Sequence, residues 1–281
     1  MLSPILFTSF LASYVAAETF SLGVDRLIIK DPELPVEFHN LKVCFISDIH
    51  HGPFSSLKRL RKMVEKINEF KPDLLILGGD YLQTYRRSQK QQAADLAELL
   101  DVLRDLEIPL FGIYAVLGNH DYTFSVEYLK KEFADAGIKV LHNEGEFLHL
   151  NHAKIRLSGV GDLWFGEPDL KQAQANTKPT DFTLLISHQP NFIDQITPKD
   201  GINFVLAGHT HGGQARLFNY QPFMPHKIAK WEYTVGLIET PQTRMLVSPG
   251  IGNAAPYFRF FAPPKIHLIT FKSAPRLSVF R

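Results

Sequence analysis

The sequence carries one cysteine, Cys44, so no intramolecular disulfide can form. The thiol sits in the apolar run 41–46 and reads as a small core residue. An excess of either charge is also missing. Lys and Arg total 30 against 29 Asp and Glu, a formal net charge of +1. No global field then draws the chain to nucleic acid or anionic lipid, and any such attraction must come from a local patch. Long nucleic acids are not expected as partners, and no feature implies a protein partner. Internal repeats, heptads and low-complexity tracts are absent. Beyond residue 17 no apolar run approaches the roughly 20 residues that span a bilayer.

Hydrophobic residues make up 45% of the chain, enough for a sizeable core and too many for a disordered one. A length of 281 residues allows one large domain or two small ones. Residues 1–17 hold no charged side chain, Glu18 being the first. This segment is expected to be a membrane anchor, an export signal cleaved after Val15-Ala16-Ala17, or a buried helix. The first two readings place the protein at a membrane or outside it. Residues 18–40 read as a lead-in, and 41–281 as the functional domain.

Strands are predicted at 41–47, 74–77 and 111–117, alternating with helices at 55–70, 88–106 and 125–136. The first helix sets Leu57, Leu60, Val64 and Ile67 on one face. Lys58, Arg59, Arg61 and Lys62 lie opposite, as a solvated face or one resting on anionic headgroups. From residue 139 the period falls toward two. Strands are predicted at 140–142, 146–150, 154–159, 182–187, 204–207, 214–218, 245–248 and 266–271. Alternation of strand and helix argues for a mainly parallel sheet, and the strand-rich second half requires another. The fold class is α/β, with two sheets face to face and helices outside both. Residues 219–265, rich in Pro and Gly, read as an elaborated loop region.

What the chain does have is a relay of metal-ligand residue types. It runs Asp48-Ile49-His50, Gly78-Gly79-Asp80, Gly118-Asn119-His120-Asp121, His188, then Gly208-His209-Thr210-His211. Each cluster follows a short apolar run, and strand ends are where an α/β sheet presents its ligands. Any one cluster alone reads as a turn or a hydrogen-bonded core histidine. Together they read as a binuclear metal centre. Phosphate ester hydrolysis needs a nucleophile at neutral pH and neutralised charge on phosphorus oxygens. Two divalent ions about 3.5–4 Å apart supply both. Asp80, behind two glycines, is placed to bridge them. Asp48 with His50, and His209 with His211, can grip from strand ends. Asn119 adds a neutral carbonyl and His188 an imidazole. His120 is a candidate proton donor, with Asp121 fixing its tautomer.

This ordered set resembles the calcineurin-like metallophosphoesterase family over roughly residues 41–271. The resemblance implies a four-layer α/β/β/α sandwich. It implies one ion on Asp48, His50, Asp80 and His211, and a second on Asp80, Asn119, His188 and His209. It implies His120 as general acid, assisted by Asp121. Manganese is the expected metal, with iron, zinc or cobalt as alternatives. The segments 47–53, 208–214 and 247–252 resemble a bacterial branch of secreted or membrane-associated enzymes. That branch includes UDP-2,3-diacylglucosamine pyrophosphohydrolases of lipid A biosynthesis. Tyr81-Leu82-Gln83-Thr84 after Asp80, and Asp121 after Asn119-His120, depart from the protein phosphatase pattern and count against a phosphoprotein substrate.

The expected substrate is therefore a small or lipid-linked phosphoester or pyrophosphate. Aromatic residues between Phe218 and Phe261 are candidates for an acyl groove or for ordinary packing. His51 and Arg259 are candidate substrate contacts, Arg259 because its planar fork suits phosphate, with an ordinary surface or core place for His51 and a structural salt bridge for Arg259 as the alternatives. Asp162 is a candidate support for the ligands, or a turn residue. The alternatives are a nucleotide phosphodiesterase or nuclease, and a non-catalytic scaffold of the same fold.

Overall fold

The computed structural model describes residues 4–217, 220–222 and 230–275. Helix α1 (Pro4–Thr19) leads into strand β1 (Gly23–Asp31). Then β2 (Leu41–Ile46), α2 (Leu57–Phe70), β3 (Leu74–Leu77), α3 (Gln89–Leu103), β4 (Ile113–Ala115), α4 (Val126–Asp135) and β5 (Ile138–Val140) alternate. A hairpin of β6 (Glu144–Leu150) and β7 (Ala153–Gly159) follows. The chain continues through α5 (Leu170–Ala173), β8 (Thr183–Ile186), β9 (Phe204–Ala207), β10 (Gly236–Glu239), β11 (Arg244–Val247) and β12 (Lys265–Ser273).

Two six-stranded sheets result, ordered β1-β12-β2-β3-β4-β5 and β10-β11-β9-β8-β7-β6. Strands β2 to β5 run parallel in the first sheet, and β7, β8, β9 and β11 in the second. Parallel strands end on one edge, so the loops after β2, β3, β4, β8 and β9 can converge.

Alternation along each strand builds three apolar layers. Val43, Phe45, Leu74 and Ile76 of the first sheet meet Ile155, Leu184, Phe204 and Leu246 of the second between the sheets. Cys44, Ile46, Leu75 and Leu77 point the other way, onto Leu60, Val64, Leu96, Leu99 and Phe133 of α2, α3 and α4. The outer face of the second sheet presents Leu185, Val205, Met245 and Val247 to Phe192 and Ile193. That fourth layer is thin, made of α5 and a 3-10 segment, Pro190–Gln195.

The helix predicted at 55–70 starts two residues later because Ser56 caps it, its hydroxyl accepting from the Arg59 N–H. Arg59 leaves the expected basic face. Its Nη2 donates to Ser21 O at 3.0 Å and to Ile251 O. The lead-in 18–40 supplies an edge strand, β1, parallel to β12 over its whole length. Of the elaborated region 219–265, residues 236–239 and 244–247 form β10 and β11. No strand forms over the described part of 214–218, since Gln214 ends a 3-10 turn, and Phe218 lies outside the described residues.

The membrane anchor expected over residues 1–17 is corrected. Among the described residues no helix is long and apolar enough to cross a membrane. Helix α1 has 16 residues, or about 24 Å against a hydrocarbon core of about 30 Å. Its last turn is bonded to the loop before β12. Arg259 N donates to Thr19 Oγ1 at 2.8 Å, and Ala262 N to Glu18 Oε1 at 2.6 Å.

Candidate metal centre

The chain end after β2 brings Asp48 and His50 to the shared edge, β3 brings Asp80, β4 Asn119 and His120, β8 His188, and β9 His209 and His211. Several of these turns are sharp. Asp48, His50, Asp80, His209 and His211 all have positive φ, between 44° and 71°. Side chains with a Cβ rarely adopt this region, at a cost of order 1–3 kcal/mol each, and such strain collects at functional sites. Two glycines let the loops close. A Cβ on Gly79 (φ 92°) would lie 2.6 Å from Gly118 N and 2.8 Å from His188 Nδ1. One on Gly208 would lie 1.9 Å from Ser47 Oγ and 2.5 Å from Asp48 Oδ2.

Donor atoms of Asp48, His50 and His211 lie within 4.8 Å of one another, as do those of Asp80, His188 and His209. Asp80 joins the two groups, its Oδ2 standing 3.5 Å from His50 Nε2 and 3.2 Å from His188 Nε2. His50 Nε2 and His211 Nε2 face each other at 3.1 Å, and His188 Nε2 faces His209 Nδ1 at 3.3 Å. Contacts on the far side orient the rings: His188 Nδ1 donates to Gly78 O at 2.7 Å, and His50 Nδ1 to Leu82 O at 3.3 Å. Both Nε2 atoms are thereby turned inward. Asp48 is held by Ser47 Oγ at 2.5 Å and by His209 N at 3.0 Å.

These residues fit divalent cations. Asp48 and Asp80 are buried, and among the described residues their ion-pair partners are histidines alone. Asn119 Oδ1 and His209 Nε2 are buried with no hydrogen-bond partner. Burial pulls His50 and His209 down to about 3 and His211 well below its ordinary value, so all three present neutral imidazoles. Burial pushes Asp48 up to about 6. For Asp80 burial acts upward too, but the charges of His188 and His120 outweigh it and hold the carboxyl well below its usual range. His188 shows the reverse balance. Burial would lower it, yet Asp80 raises it to about 10. Binding of a cation by such ligands is coupled to release of that histidine proton.

Three candidates sit differently from the expectation. Asp121 does not touch His120. Its Oδ2 accepts from Asp80 N at 2.9 Å and Gly118 N at 2.8 Å, and its Oδ1 from Tyr81 N at 2.9 Å. It ties the β3 and β4 loop ends together. His120 Nδ1 instead meets Thr84 Oγ1 at 2.7 Å. His51 is buried and turned to α3, with Nε2 2.7 Å from Glu98 Oε2. Arg259, a candidate contact to substrate phosphate or a structural salt-bridge residue, is fully buried. Nη1 donates to the carbonyls of His211, Pro249 and Ala262, Nη2 to Gly252 O, and Nε to Asn253 Oδ1, while Nη2 also meets His211 Nδ1 at 3.2 Å. The fork that suits phosphate here binds the loop behind His211. Asp162 is buried and bonded to Gln189, which follows His188. Of the expected aromatic groove, Phe218 and Phe223 lie outside the described residues.

Sequence reasoning missed Thr84, Ser47 and Trp164. Ser47 adjoins Asp48 and was open to inference as a neighbour. Trp164 packs edge-on against His209, ring centroids 4.7 Å apart. Nothing in the spacing marks Trp164 or Thr84.

The family model for calcineurin-like phosphoesterases matches residues 41–213. The chain is 32% identical to the metallophosphoesterase YkuE of Bacillus subtilis over 87% of this chain and 84% of that protein. It is 30% identical to a metallophosphoesterase of Aquifex aeolicus over 93% and 96% of the two. It is 29% identical to the phosphodiesterase YaeI of Escherichia coli over 75% of each. The matched span holds every cluster of the relay, and the chain belongs to the calcineurin-like phosphoesterase family, whose chemistry is metal-dependent phosphoester hydrolysis.

Proposed function

We propose that the centre holds two divalent ions and hydrolyses a phosphodiester or pyrophosphate bond in a lipid-linked substrate such as UDP-2,3-diacylglucosamine. The observation that carries the two-ion reading is the position of Asp80, reached by histidines of both ligand groups at 3.5 and 3.2 Å. Asp48, His50 and His211 would hold one ion, and Asn119, His188 and His209 the other, with Asp80 shared. Such ions supply Lewis acidity toward phosphoryl oxygens and make water a nucleophile at neutral pH. The histidine and carboxylate set suits manganese first, then iron, zinc or cobalt.

His120 is the proton donor to the departing oxygen. It lies beside the ligands, its ring centroid 4.9 Å from that of His50, and its backbone N–H donates to Asp80 Oδ1 at 2.9 Å. Phosphodiester chemistry draws support from the named activity of the Escherichia coli relative. The lipid-linked reading draws support from exposed aromatics on loops around the centre. Phe54 is 56% exposed, Tyr85 59% and Phe165 61%. Rings left in water beside a polar centre favour a substrate with an apolar part.

The test is a substrate panel with the full chain under manganese. It sets a UDP-linked diacyl sugar against a simple aryl phosphodiester, a nucleotide diester and a monoester. The diacyl sugar should turn over with the highest kcat/KM. A nucleotide diester ahead of it would move the assignment to nucleotide phosphodiesterase. Metal analysis giving one ion per active chain at saturation would overturn the two-ion centre.

A further inference from the structure

A proton donor works only if one ring nitrogen is aimed at the substrate and the other is occupied. In His120 the occupied nitrogen is Nδ1, 2.7 Å from Thr84 Oγ1. We propose that Thr84 is the positioning residue for His120, accepting Nδ1–H so that Nε2 is the nitrogen that exchanges a proton with substrate. The proposal rests on the reading of His120 as the proton donor.

The hydroxyl is presented from built structure. Past the ligands, β2 and β3 continue as a parallel bridge between His51 and Leu82. His51 N donates to Tyr81 O and Gln83 N to His51 O, both at 2.8 Å. Thr84 O then accepts from Arg87 N at 3.1 Å, and Tyr85 N donates to Gln83 Oε1 at 3.2 Å. The backbone on each side of Thr84 is therefore fixed without help from His120. His120 is fixed at its own end by the bond from its N–H to Asp80 Oδ1. The ring packs edge-on against His50, its centroid 4.9 Å away, and the hydroxyl contact holds its Nδ1.

Among the described residues no carboxylate is hydrogen-bonded to His120 Nδ1. Asp121 has its oxygens on three backbone N–H groups. Among the described residues the ion pairs of the centre join histidines 50, 188 and 211 to Asp48 and Asp80, and none includes His120. A neutral hydroxyl orients an imidazole without adding charge beside it. In the reaction the oxygen of water bonds to phosphorus, one of its protons passing to solvent, and the ester P–O bond breaks, its electron pair going to the leaving oxygen. That oxygen takes the Nε2 proton, Nδ1–H stays on Thr84, and solvent later returns a proton to Nε2. The net change is addition of water.

The experiment compares Thr84→Val, which keeps shape and removes the hydroxyl, with Thr84→Ser, which keeps the hydroxyl. Both are assayed as full-length, manganese-loaded protein on aryl phosphodiesters of graded leaving-group pKa. Loss of a hydrogen bond to a charged group corresponds to about a tenfold to hundredfold change in rate. Thr84→Val should lose that much kcat on poor leaving groups, little on good ones, and leave KM and manganese affinity unchanged. Thr84→Ser should recover most of it. Nitrogen NMR of the metal-free protein should show a hydrogen-bonded Nδ1–H on His120, and loss of that hydrogen-bonded signal in Thr84→Val. Equal loss on every ester, no loss at all, or weakened manganese binding would overturn the assignment. His120→Ala separates the two readings. If it too shows no leaving-group dependence, His120 is not the donor. If it does and Thr84→Val does not, only the role of Thr84 falls.

Discussion

Replacement of Asp121 distinguishes a carboxylate that serves His120 from one that holds the loops. The structure gives the second. Three buried backbone N–H groups, on Asp80, Tyr81 and Gly118, converge on its two oxygens at 2.8–2.9 Å. Leaving a buried donor unsatisfied costs about 1–3 kcal/mol. Asp121→Ala orphans all three, a gross loss of roughly 3–9 kcal/mol. Part is recovered, because the carboxylate itself is uncomfortable: burial, then the charge of Asp80, pushes it up to about 7 against those N–H donors. The net loss should lie near 3–5 kcal/mol, as when one member of a buried polar network is deleted. Asp121→Asn is milder. With its oxygen in the Oδ2 position it keeps Asp80 N and Gly118 N but turns an NH2 toward Tyr81 N, costing about 1–3 kcal/mol. Urea unfolding of chelator-treated protein, followed by circular dichroism, should rank wild type above Asn above Ala. Manganese binding should weaken in the same order, since Asp80 loses its backbone anchor. A partner of His120 would behave otherwise, with Asp121→Asn altering only leaving-group dependence. Asp121→Ala within about 0.5 kcal/mol of wild type, the range of a neutral surface change, would refute the anchoring role.

Gly208→Ala drives a methyl into Ser47 Oγ and Asp48 Oδ2. Asp48 must shift, and calorimetry should show manganese affinity down at least about tenfold, about 1.4 kcal/mol; unchanged affinity would mean Asp48 is no ligand. Arg259→Lys cannot reproduce a fork that bonds His211, Pro249, Gly252, Asn253 and Ala262. It should cost about 3 kcal/mol or more in urea unfolding, and a midpoint equal to wild type would count against its place behind His211. Burial raises the Cys44 thiol well above its ordinary value. Iodoacetamide should label it only as the chain unfolds, and rapid labelling of native protein at neutral pH would contradict the packing beneath α2.

The strands that deliver the ligands were legible because Asp, Asn or His follows a continuous apolar run after only one or two Ser or Gly residues, and such a run is the mark of a strand buried on both faces. Strand β1 was not legible. Its apolar block, Leu27, Ile28 and Ile29, is only three residues long between the charged pairs Asp25-Arg26 and Lys30-Asp31, and its mate β12 lies more than two hundred residues away. Only the assembled sheet selects that pairing. The left-handed turns at Asp48, His50, Asp80, His209 and His211 were equally hidden, because the modest enrichment of Asp and His in that region does not say which of them adopts it, and the surrounding packing must impose it. The pairing of His120 with Asp121 failed for a geometric reason. His120 (φ −73°, ψ −20°) opens a 3-10 turn over Asp121–Thr123. At three residues per turn, consecutive side chains diverge by about 120°. His120 therefore faces the cleft only if Asp121 is rotated into the core, where the free N–H groups of the β3 and β4 ends await an acceptor. The neighbour in sequence is thus excluded by the turn that places His120. The contact falls to a residue on another loop, Thr84, which no spacing rule along the chain connects to it.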